Sequence, residues 1–430
     1  MFTLPYNQKG FAAFFVTILV LAIMLGLCFS ITILILGGQR ISKNIVKSTQ
    51  AYYIAEAGVE DALLRLKEAP KMPGLSYNMN VGQGVGNINI SNIIGGSRII
   101  IGQGDIFERA RKIQVVYAVD TNSISFHYGA QAGDGGIDME SNSVIHGNVF
   151  SNGTIRALTG TATIDNSAVV AKNGNKIINL IIGTLGSAPS DEARAHTCEG
   201  SVINGDLYYV SGGSSNCTVN GGSQAVLPSD IDSENMPISD SQIDSWKNEA
   251  IGGGVISGDY TIAGGTTEYL GPIKITGNLT VENSATLVLT GNLWVVGNIT
   301  IDNNASIRLD IDYGSTSGVI VTDGKILAEN GVTLEGSGEE GSYLMLLTTN
   351  NSLLLDDPAV YVKNNAQGAI FYASNGMIRL RNNINIREAT GYKLHLDNNA
   401  EITYESGLID SLFSSGPGGS WKVRAWSEVE

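Results

Sequence analysis

Residues 11–36 read FAAFFVTILVLAIMLGLCFSITILIL and contain no charged side chain. As an α-helix this stretch would be roughly 39 Å long, more than the ~30 Å hydrocarbon core of a bilayer. A helix that is apolar on every side is typical of a membrane span and not of the surface of a soluble domain. We therefore expect residues 11–36 to cross a membrane.

A helical pattern continues after this span. Apolar or small side chains recur at alternating steps of four and three residues, at Ile41, Ile45, Ser48, Tyr52, Ala55, Val59, Ala62 and Leu66. This spacing predicts one face of an amphipathic helix, with Pro70 as a stop signal. Gly37 and Gly38 leave two interpretations open: one helix over residues 11–68, or a membrane anchor followed by a separate short helix.

The N-terminal residues resemble a known family. Lys9-Gly10 precedes the aromatic Phe11 and the apolar stretch, and residues 51–63 read AYYIAEAGVEDAL. Over positions 1–70 this arrangement resembles type IV prepilins, and PilX-like minor pilins or pseudopilins in particular. The resemblance implies cleavage by a prepilin peptidase between Gly10 and Phe11, and methylation of the new N-terminus at Phe11.

One position departs from the family pattern. Most pilins have Glu as the fifth residue of the mature chain, where it pairs with a neighbouring subunit's amino terminus, and this chain has Phe15. A carboxylate in an apolar phase is costly without a partner, so Phe15 removes both that cost and a recruitment signal. The resemblance therefore implies a minor or tip subunit. Its partners would be other pilin subunits and membrane lipid, with Phe15 and Glu56 as helix-assembly positions.

Charge indicates an exported acidic protein. The net charge is −15; positions 1–70 carry six Lys or Arg and four Asp or Glu, a sum of +2, so the remainder carries −17. Phosphate binding needs basic patches, which argues against nucleic acid as a partner. Counting Lys9 against Arg40, Lys43 and Lys47 would place the C-terminal region inside the cell. The prepilin-like leader implies the opposite: a cytoplasmic N-terminus and an extracytoplasmic domain at the cell surface or in a pilus.

The chain has three cysteines, of which Cys28 lies in the span as a lipid-facing or packing residue. Cys198 and Cys217 flank a segment with alternating apolar residues, which predicts a two-stranded hairpin clamped by a disulfide. Such a bond would stabilise the fold by roughly 3 kcal/mol. A metal site with His196 is the alternative, although one His and two Cys are few ligands for a tetrahedral ion.

The rest of the chain has β patterns. Residues 111–119, RKIQVVYAV, predict a strand of a small sheet that packs on the amphipathic helix and buries Ile45, Tyr52 and Val59. Farther on, GNLTVENSATLVL from Gly277 is repeated as GNITIDNNASIRL from Gly297. Later Asn-Asn pairs recur at a similar or slightly shorter spacing, beginning at positions 364, 382 and 398.

Short alternating strands that end in Asn or Gly at this period predict a mainly β fold containing a right-handed parallel β-helix, and a β-sandwich is the alternative. Asn suits such turns because it tolerates the left-handed conformation and can form hydrogen-bonded ladders. A helix is predicted near residues 239–250, with Ser239 as its cap and with Ile243 and Trp246 facing the solenoid.

The predicted organisation has seven parts. They are a leader (1–10), the pilin-like helix (11–69), a small β region (70–125), first β-helix coils (126–186), an insertion with the cysteine hairpin and a short helix (187–250), the main β-helix (251–413) and a capping tail (414–430).

Catalytic motifs are lacking. The carboxylate pairs are Asp310 with Asp312, Glu339 with Glu340, and Asp356 with Asp357, and arginines lie at Arg379, Arg381 and Arg387. Adjacent residues of a strand point to opposite faces, which does not suit the last two pairs as catalytic carboxylates unless they lie in loops. We expect no enzyme activity, no cofactor and no metal.

The sequence therefore predicts a membrane-anchored minor pilus or pseudopilus subunit that displays a β-helix for adhesion to a glycan or another cell-surface ligand. Two alternatives are open. One is a single-pass surface protein whose β-helix binds or cleaves polysaccharide without filament assembly. The other, a self-assembling scaffold like the bactofilins, is disfavoured by the span and by the cysteine pair.

Overall fold

A computed structural model of the protein describes residues 9–68, 72, 74–91, 97–119, 121–124, 126–186, 191–405, 408, 411–414 and 421–429. The first element is α1 (Lys9–Glu68), a helix of 60 residues. It continues through Gly37 and Gly38, so the apolar and amphipathic halves form one helix. Pro70, the predicted stop signal, lies outside the described residues.

A small antiparallel sheet follows α1. Its first strands are β1 (Leu75–Val81), β2 (Gly84–Ile90), β3 (Ser97–Ile106) and β4 (Arg109–Val119), which pair in chain order.

The second half of α1 packs on this sheet. The buried interface contains Ala51, Ala55, Val59, Ala62 and Leu66 of the helix and Ile88, Ile90, Ile100, Ile113 and Val115 of the sheet. Tyr52 is half-buried. Ile45, which we expected to be buried, is 61% exposed. The reason is that the sheet residue Ile106 packs on Ala51 and Ile54, more than one turn beyond Ile45.

Two glycines of β3 allow the sheet to approach the helix backbone closely. A Cβ atom on Gly104 would lie 2.1 Å from the carbonyl oxygen of Ala51, and one on Gly102 would lie 2.6 Å from that of Ala55. A side chain at either position would force the strand away from α1. The small residues of the Ala-Glu-Ala-Gly segment therefore have a packing role.

The chain leaves the small sheet through β5 (Thr121–Ile124) and enters a parallel β-helix. The first group of coils contains β6 (Ala130–Met139), β7 (Val144–His146), β8 (Val149–Ser151), β9 (Ile155–Ala157), β10 (Ala162–Ile164), β11 (Ala168–Val170), β12 (Lys176–Ile178), β13 (Leu180–Ile182), β14 (Glu192–Ala195), β15 (Thr197–Glu199), β16 (Val202–Ile203), β17 (Asp206–Val210), β18 (Thr218–Val219) and β19 (Gln224–Leu227).

Residues 228–254 connect this group to a second group and contain α2 (Asp240–Gly253). We call this segment the strap. The second group contains β20 (Val255–Ile256), β21 (Tyr260–Ile262), β22 (Thr267–Leu270), β23 (Ile273–Ile275), β24 (Leu279–Val281), β25 (Thr286–Leu289), β26 (Leu293–Val295), β27 (Ile299–Ile301), β28 (Ser306–Leu309), a 3-10 helix (Ile311–Tyr313), β29 (Gly318–Thr322), β30 (Ile326–Ala328), β31 (Thr333–Glu335), β32 (Leu344–Thr348), β33 (Leu353–Leu354), β34 (Asp357–Pro358), β35 (Val360–Val362), β36 (Gln367–Leu380), β37 (Asn385–Leu396) and β38 (Glu401–Thr403).

The chain then returns to the small sheet. β39 (Ser411–Ser414) pairs antiparallel with β5, and β40 (Trp421–Val429) pairs antiparallel with β4. We call the β5–β39 pair the neck. The β-helix is thus inserted between two neighbouring strands of the small sheet.

The parallel register confirms the predicted repeat. Leu279 pairs with Ile299 and Val281 with Ile301 across neighbouring coils, the same offset that separates the two repeated segments in the sequence. These side chains are fully buried in the solenoid core. The mainly β class and the β-helix are therefore confirmed.

The asparagine turns are also as expected. The second member of each Asn pair adopts a positive φ of 55–61°, at Asn304, Asn365, Asn383 and Asn399. Asn amides form a ladder on the adjoining column: Asn364 donates to Asn330 at 3.1 Å, and Asn330 donates to Asn303 at 3.0 Å. These turns stack without a steric penalty because Asn tolerates the left-handed region.

The order of the coils in space differs from their order in sequence. The last coil stacks on the first, since β37 pairs in parallel with β6 and β38 pairs in parallel with β7. We call this contact the seam. Leu394 lies beside Ile137 there, and both are buried in one continuous core. The neck therefore meets the β-helix in the middle of the stack.

The strap runs back along the outside of the solenoid, across the seam. Its Ile231 carbonyl accepts from Lys172 N, its Asn235 carbonyl from Gln131 Nε2, and its Ile238 carbonyl from the Tyr372 hydroxyl, each at 3.0 Å. In α2, Ile243 and Trp246 are buried against the solenoid, as predicted. Ser239 occupies the N-cap position but makes no side-chain cap hydrogen bond.

The structure corrects two predicted segments, the insertion at 187–250 and the capping tail. The expected insertion at 187–250 is not a lateral excursion throughout, because β14–β19 pair in parallel with the preceding coils and only the strap departs from them. The tail predicted to cap the solenoid instead supplies β40 to the small sheet. The backbone groups of the tail strand can pair with the free edge of β4 as well as with the open end of the solenoid. Alternation in the sequence does not distinguish these two edges.

Replacing Gly104 by Val is expected to destabilise the α1–sheet contact by about 3 kcal/mol, because the side chain would overlap the Ala51 carbonyl. Hydrogen exchange of the purified protein in detergent micelles would show it as lost protection in β2–β4 with the solenoid unchanged. Gly38→Val is the control, since a Cβ there meets nothing within 4 Å. Unchanged protection in the Gly104 variant would contradict this packing account.

Candidate functional site

Residues 13–36 of α1 form an apolar surface that the described chain leaves uncovered. Every residue in this range is exposed, Phe15 by 55% and Leu34 by 74%. The hydroxyls of Thr17, Ser30 and Thr32 each donate at 2.7–2.9 Å to a carbonyl three or four residues earlier in the helix. The helix is long and apolar enough to span a membrane, and its polar groups are internally satisfied.

The predicted processing and assembly residues all lie on α1. Gly10 and Phe11 belong to its first turn. Phe15 is exposed and meets the Phe14 ring edge-on. Glu56 lies beyond the span and is half-buried beside the sheet-packing face. Their roles in processing and assembly remain predictions.

The disulfide between Cys198 and Cys217 is present, but it does not clamp a hairpin. Cys198 lies on β15, and Cys217 follows Ser215, which pairs with Cys198 in parallel on the next coil. The bond therefore joins neighbouring coils near one end of the stack. The separation of 19 residues matches one coil of the solenoid, a signal that favoured stacking over a hairpin. A disulfide is typical of an extracytoplasmic domain.

The alternative metal site at these cysteines is wrong. Their sulfurs are bonded to each other, and His196 Nδ1 lies 2.7 Å from Asp230 Oδ1 of the strap. His196 therefore fastens the strap to the terminal coils.

The seam brings Glu140, His395 and Asp397 within 4.8 Å of one another. His395 Nε2 lies 3.1 Å from Asp397 Oδ1 and 3.4 Å from Glu140 Oε1. Arg379 and Arg381 both pair with the same Asp397 carboxylate, at 3.1 and 2.9 Å. Burial opposes ionisation of Asp397, but hydrogen bonds from His395 and Arg379 outweigh it and lower its pKa. Two guanidinium groups pair with this carboxylate, so the cluster is part of an ion-pair network across the seam.

Glu388 lies on β37 next to Ile370, which belongs to an apolar cluster shared with the strap and the neck. Glu388 occupies the outward-facing position that Ile370 has on the preceding coil, and its side chain is fully inaccessible to solvent. Its Oε1 accepts a 2.5 Å hydrogen bond from Thr390, while Oε2 has no partner among the described residues. Burial raises the pKa of this carboxyl well above its usual value. The fold therefore favours the neutral acid at this position.

A cleft of about 720 Å³ opens on one side of the second coil group. Its lining includes Arg308 and Glu335, on neighbouring coils, and Arg387, which pairs with Glu405 at 2.6 Å. One wall is the loop 336–342. Ser337 and Ser342 of this loop donate to the carbonyls of Gly314 and Thr316 at 2.5 and 2.8 Å, which holds the wall in place.

The other carboxylate pairs singled out from the sequence have structural roles or lie open to solvent. Asp310 caps the short 3-10 helix by accepting from Asp312 N at 3.0 Å. Asp356 is fully exposed, and Asp357 pairs with Lys325. Only Glu339 and Glu340 line the cleft.

Comparison with solved structures finds several matches, including a pilin and an ice binding protein. No family model and no curated protein matches the sequence. The competence-associated pilin ComZ from Thermus thermophilus superposes over 89% of this chain and 98% of its own, with 10% identity and a TM-score of 0.23. An ice binding protein from an Antarctic Flavobacteriaceae bacterium superposes over 65% of this chain and 81% of its own, with 10% identity and a TM-score of 0.13.

Sequence reasoning missed the seam network and the cleft. His395 and Glu140 come from opposite ends of the β-helix segment of the sequence. A signal exists in hindsight, because ESNSVI at 140–145 and DNNAEI at 397–402 share a turn and strand pattern. Arg308 and Glu335 escaped the repeat pattern, since insertion of the 3-10 helix lengthens the coil between them.

Replacing Cys198 and Cys217 by Ser is expected to lower the stability of the terminal coils by about 3 kcal/mol in the chain-entropy model. Hydrogen exchange should show faster opening of β17–β19, which lie at the end of the stack. Cys28→Ser is the control, because that thiol is exposed and free. Equal protection in the double Ser variant and wild type would show that stacking alone holds these coils.

Glu388→Gln is expected to stabilise the protein at neutral and alkaline pH. The native state raises the pKa of Glu388, so the unfolded state binds fewer protons above about pH 4.5 and wild-type stability falls as pH rises until the native pKa is reached. The advantage of Gln should grow by about 1.4 kcal/mol per pH unit in that window and be absent at pH 4.

Unfolding midpoints of the purified protein between pH 4 and pH 9 would measure this difference. A stability difference between Glu388→Gln and wild type that stays constant over this pH range would contradict burial of a neutral acid at Glu388.

Proposed function

We propose that this protein is a minor subunit of a type IV pilus or related pseudopilus, anchored in the membrane by α1, that displays its β-helix outside the cell for adhesion. One observation carries the proposal: α1 exposes an apolar half while its other half packs on an antiparallel sheet, into which the β-helix is inserted. That arrangement leaves the apolar half available to lipid before assembly and to other pilin helices afterwards.

Processing would convert the membrane form into an assembly-competent subunit. Prepilin peptidase would cut between Gly10 and Phe11, and the new N-terminus at Phe11 would be methylated. This orientation keeps the leader in the cytoplasm and the solenoid outside. The disulfide supports an oxidising compartment for the solenoid, because such bonds persist outside the cytosol.

Phe15 makes a minor or tip position the better proposal than a bulk filament position. With no carboxylate there, recruitment would depend on packing of the exposed apolar surface of residues 13–36. The half-buried Glu56 lies next to the sheet and is a second contact point for neighbouring subunits.

A contact function is proposed in preference to catalysis. Asp310 and Asp357 have structural roles, and Arg379 and Arg381 are paired with Asp397. The solenoid is rigidly braced by the seam and the strap, which suits presentation of a surface. A neutral or cationic surface ligand fits its acidic character.

The N-terminal mass of the membrane-purified protein tests this proposal. Co-expression with an active prepilin peptidase is expected to yield a mature chain that begins at Phe11, with or without a methyl group. Gly10→Val is the control and should keep Met1, because the peptidase would lose its cleavage residue. An intact Met1 in wild type despite an active peptidase would overturn the pilin proposal and favour a static membrane-anchored β-helix.

A further inference from the structure

Arg308 and Glu335 face the same cleft from equivalent positions on neighbouring coils, yet they do not form an ion pair. They are direct partners in the parallel register of β28 and β31. Elsewhere on the solenoid such neighbours do pair: Arg156 with Asp138 at 2.6 Å, and Lys363 with Glu329 at 2.7 Å. Among the described residues, neither the Arg308 guanidinium nor the Glu335 carboxylate has a hydrogen-bond or ion-pair partner.

Further polar groups surround this pair. Gln367 follows Thr333 on the next coil and lines the cleft. Glu339 and Glu340 also line the cleft, on the loop 336–342 that hydrogen bonds of Ser337 and Ser342 anchor to the preceding coil. The cleft therefore presents a donor-only group beside acceptor-only groups and a carboxamide in a fixed concave surface.

We propose that this cleft binds a neutral glycan, with Arg308 and Glu335 contacting hydroxyl groups of one sugar ring. A hydroxyl both donates and accepts, so neighbouring hydroxyls can satisfy the guanidinium and the carboxylate together. This inference rests on the proposed adhesion function and names its ligand class and its site.

The charges of the cleft favour a neutral glycan over an acidic or a cationic ligand. The cleft contains the carboxylates of Glu335, Glu339, Glu340 and Glu405 against two guanidiniums, and Arg387 is already paired with Glu405. An acidic polysaccharide would meet net repulsion. A cationic ligand could pair with the carboxylates but would leave Arg308 facing a like charge.

The test is a binding titration of the full-length protein in detergent micelles against neutral hexasaccharides (cellohexaose, maltohexaose and chitohexaose), with hexagalacturonate as the acidic probe. We expect saturable binding of at least one neutral probe and none of the acidic one. Arg308→Met and Glu335→Gln should each weaken that binding about tenfold or more, because each leaves a hydroxyl without its charged partner.

Asp232→Asn, an exposed strap position outside the cleft, is the matched control and should bind as wild type does. Arg308→Met keeps the aliphatic stem, and an unchanged unfolding midpoint would establish that the variant is folded. The glycan site would be overturned if no neutral hexasaccharide binds or if hexagalacturonate binds better. It would also be overturned if both cleft variants bind the neutral probe as tightly as wild type does. Those outcomes leave the processing test at Gly10 untouched, so failure of the site and failure of the pilin proposal are distinguishable.

Discussion

The parallel pairing of β37 with β6 is the contact on which the rest of the solenoid depends. A single coil of a β-helix cannot bury its own core and needs a stacked neighbour. The first coil of this chain finds that neighbour in the last, at the far end of the β-helix segment of the sequence. The strap follows from this pairing, because the chain must run back along the stack between the two groups of coils. The ion pairs at the seam also follow from it, because charged residues of the two coil groups meet there.

The same topology separates two tasks within one chain. The helix and small sheet offer an assembly surface, and the β-helix offers a display surface. The neck is the sole strand pair that the described residues place between them. Close glycine contacts fix the helix to its sheet, whereas the solenoid depends on its own core, its terminal disulfide and its strap. Changes in one unit can therefore leave the packing of the other intact.

Local features of the sequence predicted the helix, the β-helix, the asparagine turns and the disulfide, because each depends on spacing within the length of about one coil. Long-range features were not predictable. The tail strand could have joined either unit, and it pairs with β4. The alternation of the cysteine segment suits a hairpin and a coil equally, and only the separation of 19 residues between the cysteines matches one coil. Glu388 fits the pattern of an outward-facing strand residue, and that pattern does not predict its complete burial.

The position of the neck determines how the solenoid would carry a load. Tension between a bound surface and the membrane helix would enter through two strands that join the stack at its middle coils and not at an end. Coils at an end could be peeled away one at a time, each breaking few hydrogen bonds. A pull at the middle must instead shear many backbone hydrogen bonds and buried ion pairs together. We therefore expect the solenoid to resist a force applied at its middle coils better than one applied at an end coil.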